Sequence, residues 1–267
     1  RTDLRIGVAC LNRLLNHAAR GRARILGSFG QRSAPELAER FAVELDVTGE
    51  RRRFVGDEHV WLWYRGTGVG PYPCMSALQA LELICDEYIR AGAPIDRLVR
   101  LMLHSCENLA MPALVVGMLV RHIEDARTAI DPFLAEPVIW RLEFVRRVHE
   151  HSGLSARTEG IAAPDRRTWT LREAAMWLTL SADADRGKGL EAVGRRLVAR
   201  ATELEGDRAE GEPMSEDLAA VHGWAASFDR RNFKFSRTEQ GVLVEQVPNE
   251  QVVARLASSN TDLARGQ

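Results

Sequence analysis

The sequence predicts a mainly α-helical protein: stacked antiparallel helix pairs, a degenerate α-solenoid of HEAT-like kind, with a small β-hairpin near the C-terminus. Three observations carry this. Apolar residues recur at three- and four-residue spacing along most of the chain. Segments with that period are separated by short turns containing Gly or Pro. Two short β-branched and aromatic runs flank a glycine-containing turn near residue 240. Short serial helices cannot bury their apolar faces alone, so they must stack on neighbours. No strict sequence period is found, which makes the repeat degenerate.

The elements follow in order. Leu4, Val8, Leu11, Leu14, Leu15 and Ala18 outline an amphipathic helix over residues 4–23. Ser33 with Glu36 forms a capping box and Pro35 sits in the first turn of a second helix running to about Leu45. From Phe54 to Tyr64 the aromatic and β-branched pattern fits either a strand or a short buried helix. Arg65 to Pro73 is a Gly- and Pro-rich loop, and Ser76 with Gln79 predicts the capped start of the next helix. Further helices are predicted over 95–108, from Pro112 onward, over 138–149 with Ile139, Trp140, Leu142, Phe144 and Val145 as an inward face, from Thr170, and over 187–204. The helix after Pro112 is apolar almost all round, as a centrally buried helix is. Arg157 to Arg167 reads as a connector. Leu218 to Phe228 forms a helix, Phe233–Phe235 and Val242–Val244 form the hairpin around Thr238–Gly241, and residues 249–256 are helical again. These elements divide into a helical array over 1–204, an acidic linker or loop over 205–213, and a helix–hairpin–helix appendage over 214–267.

Bulk properties exclude several classes. With 267 residues there is ample chain for a core, and 36 Lys+Arg against 37 Asp+Glu give a net charge of -1. No global field therefore draws the chain to nucleic acid or acidic membrane. The basic residues are almost all Arg, with Lys only at Lys188 and Lys234, a bias read here as genomic. The longest apolar stretch, Leu109 to Val120, falls short of the roughly 20 residues that a bilayer span needs. Cys10, Cys74, Cys85 and Cys106 lack C-x-x-C spacing and match reduced cytosolic thiols, so a cytoplasmic protein without a membrane span is expected. The chain begins without Met and is already helical, as if cut from a longer polypeptide.

Four groups of residues could carry chemistry. Arg65, Gly66, Gly68 and Gly70 lead to Ser76, and loop amides before a helix start can cradle an anion. The loop lacks a Gly-Lys-Ser/Thr ending, and Pro71 and Pro73 remove donors. Arg51, Arg52 and Arg53 precede Trp61, Trp63 and Tyr64, a basic and aromatic combination that could meet nucleic acid; those aromatics fit a core better. His104 and Cys106, if helical, point about 200° apart and cannot share one metal. His149-Glu150-His151 reads as an exposed helix end, while Glu82, Asp86 and Glu87 read as a solvated face and Glu107, Glu124 and Glu136 as caps. No catalytic residue, metal ligand or cofactor is assigned to this chain.

Ser76-Ala-Leu-Gln-Ala-Leu-Glu-Leu-Ile-Cys-Asp-Glu-Tyr, His104-Ser-Cys-Glu-Asn-Leu-Ala-Met-Pro-Ala-Leu-Val-Val-Gly-Met-Leu-Val-Arg-His and Asp131-Pro-Phe-Leu-Ala-Glu-Pro resemble the helical region of large bacterial ATP-binding proteins. These are chiefly actinobacterial and similar in layout to STAND-type antiphage NTPases. The resemblance covers about residues 61–176. It implies an ATPase module elsewhere in a parent chain and a helical array that senses or docks a protein partner. No residue here matches an ATPase motif, so none is carried over. The expectation is a non-catalytic scaffold. The competing expectation is a small-molecule or nucleotide-binding enzyme domain with its site at Arg65 to Ser76.

Overall fold

The structure is a computed structural model and describes residues 3–27, 40–47, 49–151, 159–206, 214–239 and 241–247. It is mainly helical, with packed helix pairs and a C-terminal antiparallel hairpin, as the periodicity predicts. It forms two compact units, Arg1–Phe133 with Val138–Thr170, and Leu134–Pro137 with Leu171–Gln267. That division lies upstream of the 205–213 segment, of which 207–213 is outside the described residues.

In the first unit α1 (Leu4–Gly27) buries Val8, Leu15, Ala19 and Ala23 on one stripe, together with Asn12 and Asn16. The segment Val43-Glu44-Leu45-Asp46-Val47 is not the end of a helix. Its apolar residues alternate with acids at a period of two, and it forms strand β1 (Ala42–Asp46), paired antiparallel with β2 (Arg51–Val55). The capping box at Ser33 lies outside the described residues. The ambiguous stretch 54–64 proves to be both alternatives in series. The strand ends at Val55, Asp57 caps α2 (Glu58–Leu62) by accepting from Val60 N, and a 3-10 turn covers Trp63–Arg65.

Helix α3 (Tyr72–Arg90) begins four residues before Ser76, with Pro73 in its first turn where a missing N–H costs nothing. Helix α4 (Ile95–Leu103) stops before His104, five residues short of the expected end. Helix α5 (Ala110–Arg121) buries every residue but Gly117 and packs against α2, α3 and α4 as the central helix of the unit. A Cβ at Gly117 would stand 2.8 Å from the Tyr64 ring, so glycine sets how closely α5 and that ring approach. Short helices α6 (Ile123–Ala126) and α7 (Asp131–Leu134) precede α8 (Pro137–His151), and the connector contains a 3-10 turn, Pro164–Thr168.

The second unit contains α9 (Leu171–Ser181), α10 (Ala184–Glu205), α11 (Glu216–Ala225), and 3-10 turns at Ala226–Phe228 and Arg230–Asn232. Leu190, Val193 and Leu197 of α10 are buried, as are Leu218, Val221 and Phe228. The hairpin pairs β3 (Phe233–Thr238) with β4 (Gly241–Gln246), Phe235 opposite Val244, as read from sequence. The tail predicted as helix over 249–256 lies outside the described residues.

Candidate functional site

The glycine loop is an internal strut. Arg65 is 3% exposed. Its Nε pairs with Glu150 Oε1, and its Nη2 donates to Glu150 Oε2 at 3.0 Å and to the Arg167 carbonyl at 2.7 Å. Gly66 takes φ of 72° to end the 3-10 turn. Gln79, expected to reach back to a cap at Ser76, instead donates to the Arg65 carbonyl at 3.4 Å. Ser76 lies exposed within α3, away from its start. Gly68 is half-buried near Leu62, and at Gly70 a Cβ would meet Trp63 Nε1 at 2.4 Å and Met75 Sδ at 3.1 Å. Gly70→Ala must therefore push the Trp63 ring, a buried group. The expected outcome is a loss of about 1–3 kcal/mol in urea unfolding, the cost of overpacking; an unchanged midpoint would contradict the strut reading.

The triple-arginine strand is divided between solvent and structure. Arg51 and Arg53 are exposed, while Arg52 donates to the carbonyls of Leu103 at 2.9 Å and Cys106 at 2.6 Å and lies 5.5 Å over the Phe54 ring. Trp61, Trp63 and Tyr64 are all buried, so they offer no face on which bases could stack. The 104–108 segment is a loop with Ser105 at φ of 57°, which removes the helical geometry assumed for His104 and Cys106. Asn12 holds the carbonyls of Met102 and His104 at 2.8 and 3.1 Å, Asn16 holds that of Ser105 at 3.2 Å, and Asn108 bonds Asn16 Oδ1 at 2.8 Å. Burial pushes the Cys106 thiol up to about 12, and Sγ donates to the Asn108 carbonyl at 3.2 Å. This is an inert structural cysteine.

Two charges that the sequence reading assigned to solvent, Glu82 and Asp86, belong to a buried charged layer. Glu82, Asp86, Arg121, Glu143 and Arg146 are each 1% exposed and Arg167 is 4% exposed. On one side Asp86 accepts from Arg121 Nη1 at 2.7 Å, lies 2.7 Å from His122 Nε2, and accepts from Ala162 N at 2.8 Å. Burial opposes its ionisation, but the hydrogen bonds from His122 and Arg121 outweigh burial and hold the carboxyl at about 2. Arg121 also donates to the Ala162 carbonyl at 2.8 Å, so the pair fastens the connector by both backbone groups of one residue. Glu82 Oε1 accepts from Arg167 at 3.0 Å and lies 3.3 Å from Arg121 Nη2. On the other side Arg146 grips both oxygens of Glu143 at 2.9 and 2.8 Å, bonds Glu150 at 2.7 Å, and bonds the Trp169 carbonyl at 2.6 Å. Trp61 Nε1 donates to Glu143 at 2.9 Å.

Arg65, through Glu150 and the Arg167 carbonyl, joins the two halves. Burial disfavours the Glu150 carboxylate, yet bonding from Arg65 and the charge of Arg146 hold it below the usual range. Burial pushes the Tyr64 phenol beside them up to about 12. Arginine suits this layer because its planar fork satisfies several acceptors while remaining charged. In the second unit, Glu136, expected at a helix end, is also buried and lies 3.5 Å from Arg200 Nε. These groups secure helices and connectors; among the described residues no three His, Cys, Asp or Glu side chains converge as an ion would require. No described helix is long and apolar enough to cross a membrane. Comparison with protein-family models and with curated proteins returns no match for this chain.

Proposed function

We propose that this chain is the non-catalytic helical scaffold of a larger P-loop NTPase and docks a protein partner through α8, as a sensor region in a bacterial defence or signalling system would. The observation that carries the reading is the reversed amphipathicity of the second part of that helix, residues 143–148, after a first part that buries Ile139, Trp140 and Leu142 in the ordinary way. α8 turns Glu143 and Arg146 inward at 1% exposure and Phe144, Val145 and Val148 outward at 65%, 36% and 55%. A helix in water ordinarily does the opposite. The inward ion pairs lock its orientation, so the outward apolar stripe is held rigidly available, and such stripes mark interaction surfaces. The sequence resemblance over residues 61–176 supports an NTPase module elsewhere in the same polypeptide; a full-length gene product without a Gly-Lys-Ser/Thr loop would remove that part of the proposal.

The docking part is tested by placing a photo-crosslinking amino acid at 144, and at exposed Arg90 as control, in the cells that produce the protein. The expected result is one protein adduct of defined mass from position 144, lost on adding Val148→Glu, with no nucleotide turnover by the isolated chain. Equal labelling from both positions, or turnover that survives purification, sinks the reading.

A further inference from the structure

Helix α1 carries five arginines, Arg5, Arg13, Arg20, Arg22 and Arg24, and no aspartate or glutamate, in a chain whose net charge is -1. Three of them are answered within the chain. Arg22 clasps Asp57 through Nε at 2.9 Å and Nη2 at 2.7 Å, Arg5 bonds Asp3 ahead of the helix at 3.0 Å, and Arg20 pairs with Glu107. Arg13 and Arg24 are exposed and meet no carboxylate among the described residues.

Val8, Leu15, Ala19 and Ala23 bury one stripe of the helix. At about 3.6 residues per turn the opposite side presents two parallel rows. Arg13, His17, Arg20 and Arg24 form one, and Cys10, Leu14, Gly21 and Ile25 form the other. Ile6 heads the basic row, and Ile6, Leu14 and Ile25 are 60%, 43% and 65% exposed. Gly21 adds room on this face. Glycine inside a helix is less stable than alanine. At Gly117 and Gly194 the room so left is filled by the Tyr64 and Phe228 rings, whereas at Gly21, and at Gly7 two turns away from Leu14, nothing stands within 4 Å of where a Cβ would be. The notch between Leu14 and Ile25 is therefore open to a side chain of another molecule, as the groove of one helix takes the ridge of the next.

Charge selects the occupant. A second copy would set one arginine row against another, and like charges across an interface are unfavourable. Nucleic acid is held through its phosphates and by base stacking, and α1 has no aromatic ring to stack and three exposed aliphatics beside its cations. A helix lying in a membrane surface needs a broad apolar face, and here the large aliphatics are three, spread from Ile6 to Ile25. What fits both rows is an amphipathic helix whose carboxylates face Arg13 and Arg24 and whose aliphatic side chains lie along Leu14, Gly21 and Ile25.

We propose that the outward face of α1 docks an acidic amphipathic helix of a protein partner. This surface is separate from the α8 stripe, and the proposal stands independently of docking there. The test titrates the isotope-labelled full chain at neutral pH with two synthetic amphipathic helical peptides of one leucine pattern, one carrying glutamate and the other lysine at the flanking positions. Phosphatidylserine vesicles and a DNA duplex are titrated separately, and backbone amide shifts are followed throughout. The glutamate peptide should give saturable shifts centred on residues 6–25 that weaken as salt is raised, while the lysine peptide, the vesicles and the duplex do not saturate. Arg13→Glu combined with Arg24→Glu should weaken the glutamate peptide about tenfold, the worth of two exposed ion pairs, and admit the lysine peptide. Gly21→Leu should weaken it as well while the melting temperature holds or rises, which a structural need for glycine there would not give. Val148→Glu should leave its binding unchanged. Failure of the glutamate peptide to saturate by about 1 mM, a marginal affinity, shifts centred on α8, or unchanged affinity in the double arginine variant overturns the site. Vesicles or duplex saturating in place of the glutamate peptide, or self-association of the chain through α1, overturns the acidic-helix assignment.

Discussion

Arg146→Met is expected to lower the folding free energy by about 3–5 kcal/mol, because it strands buried carboxylates without their counter-charge. Arg146 makes two bonds to Glu143 and one each to Glu150 and the Trp169 carbonyl. After substitution Glu143 retains only the Trp61 indole, and Glu150 only Arg65. Methionine fills much of the volume, so the loss reports charge and hydrogen bonding more than a cavity. For a domain whose whole stability is about 5–15 kcal/mol, a change of this size moves the urea midpoint well outside error. Arg100→Met is the control. Arg100 pairs with Asp96 at 2.6 Å, but both side chains are at least half exposed, and such pairs contribute at most about 1 kcal/mol. Adding Glu143→Leu to Arg146→Met should restore part of the loss, since the pair's removal together leaves no orphaned charge at that point. A single-variant loss below that of the control would show that the Glu143–Arg146 pair is not what fixes α8.

The layer that these residues form was the part of the fold hardest to read from sequence. Helix periodicity placed α1 and α5 because their apolar residues do the burying; it placed α8 and the hairpin as well, although Phe144, Val145, Phe235, Val242 and Leu243 are exposed there. It misled wherever charge was buried instead. Glu82 and Asp86 fall on the apolar side of α3 in space, beside Leu78, Leu81 and Cys85, yet a rule that sends carboxylates to solvent assigns them outward. The available signal was Glu143, Arg146 and Glu150 at spacings of three and four on a helix whose remaining positions include Phe144 and Val148. The near-exclusive use of Arg was a second signal, since Arg tolerates burial in paired form where Lys does not. β1 was legible too, in the two-residue alternation from Val43 to Val47. The pull of the preceding capping box obscured it. The Arg65 to Ser76 loop looked like an anion cradle because glycines serve close approach of any kind. Here what approaches is the Trp63 indole and the Gln79 amide, and sequence does not distinguish a side chain from a ligand.

Acid should separate Asp86→Asn from the unsubstituted protein in a direction fixed by linkage. Asp86 titrates at about 2 when folded against an ordinary value of 3.8, so the unfolded chain takes up this proton first as pH falls. Its ionised form therefore contributes its full stabilisation above about pH 4 and loses it as pH drops through about 2, a change of about 2–3 kcal/mol. Asp86→Asn keeps the shape but not the charge, and leaves Arg121 at 1% exposure with Glu82 Oε1 at 3.3 Å as its nearest carboxylate. At neutral pH the variant should be less stable by about 3 kcal/mol, the cost of leaving two buried cations, Arg121 and Arg167, to share the one Glu82 carboxylate. Between pH 5 and 2 its stability should fall less steeply than that of the unsubstituted chain, so the two curves converge. Glu150, also held low by Arg65 and Arg146 against burial, lowers stability on acidification in both proteins and cancels in the difference. Urea unfolding at intervals across that range checks the expectation. Curves that stay parallel down to pH 2 would mean that Asp86 gains nothing from His122 and Arg121, and the fastening of the connector at Ala162 would then rest on the backbone bonds alone.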